Sequence, residues 1–192
     1  MADDLQDLIF SKPEDFLSHG DLLGADFYHC TFKGLDLGAI FQGKRMRFYS
    51  CHFESCNLSN LRVTGFVFRG ARFKQSKLVG VNWTEASSLV DPLFEDCKLD
   101  HAVFQRLDLT KISFKGSSLR DVDFADTHLS GADLRDCELQ GASFRGADLC
   151  AADLRGAREY FIDPEFSSLK ELRCDSPAAL SFLVALGLKV ED

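Results

Sequence analysis

From Phe94 to Leu154 every fifth residue is leucine or phenylalanine, thirteen positions without a miss. A helix turns one face inward every 3.6 residues and a strand every 2, so a strict five belongs to neither. The backbone must turn a corner each time it buries a side chain. Two residues before each of these centres stands a second, smaller inward residue, as at Cys97, Ala102, Val122, Ala132, Cys137, Ala147 and Ala152, and polar residues fill the remainder. One large and one small inward position in five describe a narrow coil whose interior is filled by its own side chains. The same beat runs through Leu22, Phe27, Phe32 and Leu37, and again from Phe48 to Trp83. Fixed-period repetition of this kind marks a solenoid, in which each unit contacts only its neighbours.

The number of sides follows from longer spacings. The beat slips by one residue between Leu37 and Phe48 and between Trp83 and Phe94. With those two inserts allowed, positions twenty apart fall into columns of like residues. One reads Phe27, Phe48, Phe68, Leu89, Leu109, Leu129, Leu149. A second reads Phe32, Phe53, Phe73, Phe94, Phe114, Leu134, Leu154, and a third Leu37, Leu58, Leu78, Leu99, Leu119, Leu139. The fourth holds Val63, Trp83, Phe104, Phe124 and Phe144, with a gap at Gly43 for Ile40 or Phe41 to fill. Four columns favour a coil of four sides and twenty residues. At about 4.8 Å per coil the result is a rod on the order of 30 Å long.

The units Ala132-Asp133-Leu134-Arg135-Asp136, Ala147-Asp148-Leu149-Cys150-Ala151 and Ala152-Asp153-Leu154-Arg155-Gly156 match the motif A(D/N)LXX. In them the chain resembles the pentapeptide-repeat proteins. The resemblance implies an all-β solenoid, a right-handed quadrilateral β-helix, over residues 20–158. Residues 1–19 are expected to form an N-terminal cap, the inserts to lie near 38–47 and 84–93, and residues 159–192 to form a C-terminal capping and dimerisation segment. Within that segment Ser176 reads as an N-cap, Pro177 as the first helical residue and Gly187 as the stop, giving a short helix cap over about 177–186. Leu188 and Val190 alternate as a short strand.

Chemistry-bearing residues are sparse. Cys30, Cys51, Cys56, Cys97 and Cys137 fall in the small inward slot, where cysteine behaves as a compact hydrophobe, and no CxxC or CxxH pair suggests metal. Cys150 and Cys174 lie off the code. His29, His52, His101 and His128 occupy outward slots on different coils, and a filled coil offers no cleft for catalysis. No catalytic, cofactor or metal site is expected, and the chain is read as a non-enzyme. The acidic start Met1-Ala2-Asp3-Asp4 lacks a secretory pattern, and no apolar run is long enough to cross a bilayer, so the cytoplasm and no membrane partner are expected.

Function is then sought on the surface and at the ends. Ile162-Asp163-Pro164, Leu169-Lys170, Ser176-Pro177-Ala178-Ala179 and Leu186-Gly187-Leu188 are similar to the tail of the subgroup containing Qnr-type quinolone-resistance proteins and immunity proteins against gyrase-poisoning microcin and albicidin. Gly80-Val81-Asn82-Trp83-Thr84 is similar to a stretch in the immunity members. The resemblance implies a non-enzymatic protein that interacts with DNA gyrase or topoisomerase IV and protects it from quinolone- or peptide-type poisons, partly by DNA-like shape and charge, without binding DNA itself. It also implies a homodimer through the C-terminus, for which Leu180, Leu183, Val184, Leu186 and Leu188 supply an apolar stripe. The alternative is a pentapeptide-repeat scaffold for a different protein partner. Trp83, Thr84, Glu85, Asp133, Asp153, Arg45 and Arg47 are the candidate partner-binding residues. The net charge of −8 is divided unevenly, −6 over residues 1–32, +7 over 33–77 and −9 over 78–192. An acidic centre of a dimer with partly basic arms fits this division better than a uniformly DNA-like rod.

Overall fold

A corner after every buried centre requires a special backbone conformation, and it is supplied two residues later. His101, Arg106, Asp126 and Gly141 each follow a centre by two and have φ of 59°, 59°, 57° and 72°. This left-handed region is open to glycine and tolerated by aspartate and asparagine, which explains the polar and glycine-rich corners. The computed structural model describes residues 4–19, 22, 24–43 and 45–189. They form a right-handed, four-sided β-helix.

Ten short strands open the rod: β1 (Asp4–Gln6), β2 (Ile9–Phe10), β3 (Asp26–Tyr28), β4 (Thr31–Lys33), β5 (Arg47–Tyr49), β6 (His52–Glu54), β7 (Val67–Arg69), β8 (Arg72–Lys74), β9 (Ser88–Val90) and β10 (Leu93–Glu95). Alternate strands stack as two parallel five-stranded sheets, in the orders β1-β3-β5-β7-β9 and β10-β8-β6-β4-β2. These are the first and second sides. The third and fourth sides, and all four sides beyond Glu95, pair through single bridges such as Lys77 with Lys98, Val103 with Asp123 and Asp133 with Asp153. There most corners close on themselves, as Ala102 N–H bonds Leu99 C=O at 3.0 Å and Ala132 N–H bonds Leu129 C=O at 3.0 Å. Asp26 pairs with Arg47 but Arg47 with Val67, offsets of 21 and 20 residues, and the offset returns to 21 from Val67 to Ser88. Both extra residues are absorbed on the fourth side. The first is taken up around a one-turn helix, α1 (Leu37–Phe41), and the second after the 3-10 turn Trp83–Glu85.

The columns are stacks of rings. Phe10, Phe32, Phe53, Phe73, Phe94 and Phe114 follow one another at centroid spacings of 5.1, 4.9, 4.7, 5.0 and 5.4 Å, close to the strand repeat. Trp83, Phe104, Phe124 and Phe144 do the same on the fourth side at 6.0, 5.4 and 5.4 Å. Phe41, delivered by α1, is fully buried and fills the gap at Gly43.

The rod extends beyond both expected ends. Leu5 pairs with Phe27 and Phe10 with Phe32, so the chain is already coiled at Asp4, and among the described residues Pro13–His19, a 3-10 turn that stacks Phe16 on Phe10 at 4.6 Å, acts as a cap. At the other end Asp148 bridges Ser168 and Asp153 bridges Arg173, so coiling passes residue 158. The terminal helix, α2 (Ser176–Ala185), starts one residue early. Its N-cap is Asp175, whose carboxylate accepts from Gly156 N–H at 2.7 Å instead of capping the helix. Leu188 lies in no strand and donates its N–H to Leu183 C=O, while Val190 lies outside the described residues.

The small slots carry a polarity that hydropathy alone hides. Cys56 and Cys137 direct their thiols to Phe32 and Phe114 carbonyls of the coil before, at 3.3 and 3.1 Å. Ser76 and Ser117 accept from the Cys56 and Cys97 amides at 3.0 and 3.1 Å, on corners that lack a closing turn bond. These thiols are structural, and burial pushes Cys97 and Cys137 up to about 12. The corner stack gives a first test. Gly141 has φ +72°, and a methyl there would meet Asp121 Oδ1 of the corner below. Gly141→Ala is expected to cost about 1–2 kcal/mol in urea denaturation, and Asp121→Ala in the same chain should relieve the collision but not the backbone term. An unchanged midpoint would contradict the corner geometry.

Candidate interaction surface

Because the interior is filled, chemistry is left to outward slots, inserts and ends. At the second insert the 3-10 turn places Thr84 and Glu85 outward and Trp83 inward. Trp83, expected at a partner surface, is only 1% exposed and packs between Phe73 and Phe94, because it is the fourth-side centre of its coil. It belongs to the core. Its outward neighbours are locked. Asn82 Oδ1 accepts from Thr84 N–H at 3.1 Å and from Thr84 Oγ1 at 2.7 Å, and Asn82 Nδ2 donates to Glu85 Oε1 at 3.3 Å. Thr64 Oγ1 of the coil before donates to Glu85 Oε2 at 2.7 Å. Thr64 went unrecognised in the sequence, although it stands in an outward slot 21 residues before Glu85 and so in register with the insert.

The charged candidates divide by how tightly they are held. Arg47 is paired with Asp26 of the preceding coil, and the Arg45 stem lies over Gly65. Arg135 grips Asp133 through Nε at 2.8 Å and a terminal nitrogen at 2.7 Å, and Arg155 grips Asp153 the same way at 2.9 and 2.6 Å. The arginine hydrogen bonds hold both carboxyls below the usual carboxylate range. Asp133 and Asp153 thus present a neutralised zigzag along the second side rather than free negative charge. A depressed carboxyl pKa contributes stability that is complete above the ordinary value near 4 and is lost as pH falls through the lower folded value. Urea midpoints of the doubly substituted Asp133→Asn, Asp153→Asn chain should therefore fall less steeply than wild type between pH 4 and pH 2. Parallel curves would show that these pairs do not carry acid lability.

The C-terminal end carries apolar surface. On α2 Phe182 turns inward toward Tyr160, while Leu180, Leu183 and Val184 are exposed, and Leu186 and Leu188 beyond the helix are exposed as well. Phe161 and Phe166 add to it, at 66% and 52% exposure, beside an open trough of about 320 Å3 lined with Ala142, Phe144, Arg145 and Ile162. These two aromatics were not foreseen as surface. Their signal was that both fall off the five-residue beat. Among the described residues no cluster of three metal-ligating side chains occurs, and no helix is long and apolar enough to cross a membrane.

Comparison with known proteins agrees with this architecture. The family described as pentapeptide repeat region matches residues 46–124, and that described as pentapeptide repeats (8 copies) matches residues 117–156. No curated protein sequence matches the chain. Among solved structures, a trypsin-treated single-residue variant of QnrB1, described as a plasmid-mediated fluoroquinolone resistance protein, aligns over 100% of this chain and 99% of its own, at 18% identity and TM-score 0.63. Full-length QnrB1 aligns over 97% and 100% at 16% identity and TM-score 0.53. HetL, a pentapeptide-repeat protein involved in heterocyst differentiation regulation in Nostoc, aligns over 90% and 85% at 16% identity and TM-score 0.44.

Proposed function

The chain belongs to the pentapeptide-repeat proteins, and on that premise we propose that it is a non-enzymatic topoisomerase-binding protein, protecting DNA gyrase or topoisomerase IV from quinolone- or peptide-type poisons. The observation that carries this reading is the end-to-end alignment with QnrB1, which takes in the non-repetitive C-terminal segment as well as the coils. The exposed apolar stripe from Leu180 to Leu188 supports a homodimer joined at that end. Each protomer would bring its −9 stretch toward the centre, leaving the +7 stretch of residues 33–77 on the arms. DNA-like character is then concentrated at the dimer centre, where an acidic, duplex-wide saddle faces the enzyme. Even there it is moderated, because Asp133 and Asp153 are already paired with arginine.

The basic arm supports the alternative of a scaffold for another protein partner. A supercoiling assay with pull-down separates the two. The protein is expected to bind gyrase or topoisomerase IV and to restore supercoiling in the presence of a quinolone, albicidin or microcin. Absence of binding to both enzymes, with no change under any of the three poisons, would leave only the scaffold reading.

A further inference from the structure

The first-side ladder is broken once, in the middle of the rod. β9 is the terminal strand of its sheet, bonded to β7 on one side. The next stretch on that side, Asp108–Thr110, pairs only with the coil after it. There His128 N–H bonds Leu107 C=O at 3.0 Å, Leu109 N–H bonds His128 C=O at 2.8 Å, and Lys111 N–H bonds Ser130 C=O at 2.9 Å. None of the three equivalent bonds joins β9 to Asp108–Thr110. Leu89, Asp91 and Asp108 N–H find no backbone acceptor across the gap. The break is local, since Phe94 N–H reaches Ser113 C=O at 2.9 Å on the second side and Val103 N–H reaches Val81 C=O at 3.1 Å on the fourth.

Sequence accounts for it. The small slot leading to the second side is Cys30, Cys51 and Ala71 in the earlier coils and Ala132 and Ala152 in the later ones, but Pro92 and Ile112 at the break. Bulky residues stacked where alanine or cysteine is usual hold the two coils apart. The outcome is a groove of about 550 Å3 between residues 89–93 and 108–113, with Arg72 at its edge.

We propose that this groove is a strand-acceptor site, in which an extended peptide segment of a partner protein lays its main chain along the open edge of β9. A row of N–H and C=O groups at strand spacing is the complement of another main chain, as in β-augmentation. Leu89, Leu93 and Ile112 line the groove and receive alternate apolar side chains. Its charged rim consists of Arg72 and Lys111 with Asp91 and Asp108, all exposed, and none of the four joins an ion pair among the described residues. Such a rim suits a segment carrying both signs of charge between its apolar residues. The site does not depend on which protein supplies the segment.

Residue-resolved hydrogen exchange tests it, with a capped heptapeptide alternating valine with lysine and glutamate as probe, and its N-methylated counterpart as control. In the free protein Leu89, Asp91 and Asp108 amides should exchange about 100-fold faster than Leu109 and Lys111. Millimolar peptide should slow them about tenfold, and the N-methylated peptide, which cannot form the ladder, should not. Equal protection in the free protein overturns the proposal, as does a response to both peptides or to neither. Protection that rises with protein concentration alone would assign the edge to a second copy of this chain instead.

Discussion

Truncation of Phe124 to alanine is expected to lower stability by roughly 3 to 5 kcal/mol, the range for large aromatic residues in tight cores. Phe124 is fully buried and stacked on Phe104 and Phe144 at 5.4 Å on each side, with Phe114 edge-on at 5.6 Å. A four-sided coil has no spare side chain to move into the void, because each neighbour is fixed by its own ladder bonds to the coils before and after. For a chain of this length the loss corresponds to a thermal midpoint lower by roughly 6 to 20 °C, readable by circular dichroism. Phe144→Ala should cost less. Its ring meets an aromatic neighbour only toward Phe124, and on the other side it borders the open trough beside Ile162 and Phe166. Equal losses at the two sites, or no loss at Phe124, would contradict the fourth-side column.

The columns were legible because burial in a narrow coil admits few solutions. A residue twenty or twenty-one places from Phe53 must stack on it, and Phe32 and Phe73 do. The ends were less legible, because there the beat thins. Leu5 and Phe10 keep the five-residue spacing but stand apart from the longer runs, and the offset to Phe27 and Phe32 is 22 residues, outside the expected twenty or twenty-one. Leu169, twenty residues after Leu149, similarly continues the first column without a neighbouring A(D/N)LXX unit to announce it.

Surface roles were harder to read for a different reason. Trp83 looked distinctive as the single tryptophan in a segment like that of the immunity proteins, but its place on the beat already assigned it inward. Where beat and resemblance disagreed, packing decided. Asp133 and Asp153 were visible as outward acids, yet their pairing with Arg135 and Arg155 depends on side-chain rotamers that a period of five does not encode. The slit above β9 also lay hidden, because its cause is the size of small-slot residues rather than the beat itself.

The proposed dimer offers the second large effect. Leu183→Asp is expected to halve the mass measured by light scattering, because it sets a carboxylate at the centre of the exposed stripe formed by Leu180, Val184 and Leu186. Leu183 is 39% exposed in the single chain, so the variant should keep its fold and its thermal midpoint as a monomer to within roughly 1–2 °C. A variant that stays dimeric would move the interface elsewhere, and a wild-type chain that is already monomeric would remove it. Charge adds an independent sign. In the proposed dimer each protomer would turn its C-terminal stretch, residues 78–192 with net charge −9, toward the other, so apolar attraction would have to overcome electrostatic repulsion. Salt screens that repulsion over about 10 Å at 0.1 M, while leaving apolar contacts nearly intact. The wild-type dimer should therefore tighten as salt rises from about 0.05 to 0.5 M. Weakening over the same range would mean that ion pairs, and not the leucine stripe, join the two rods.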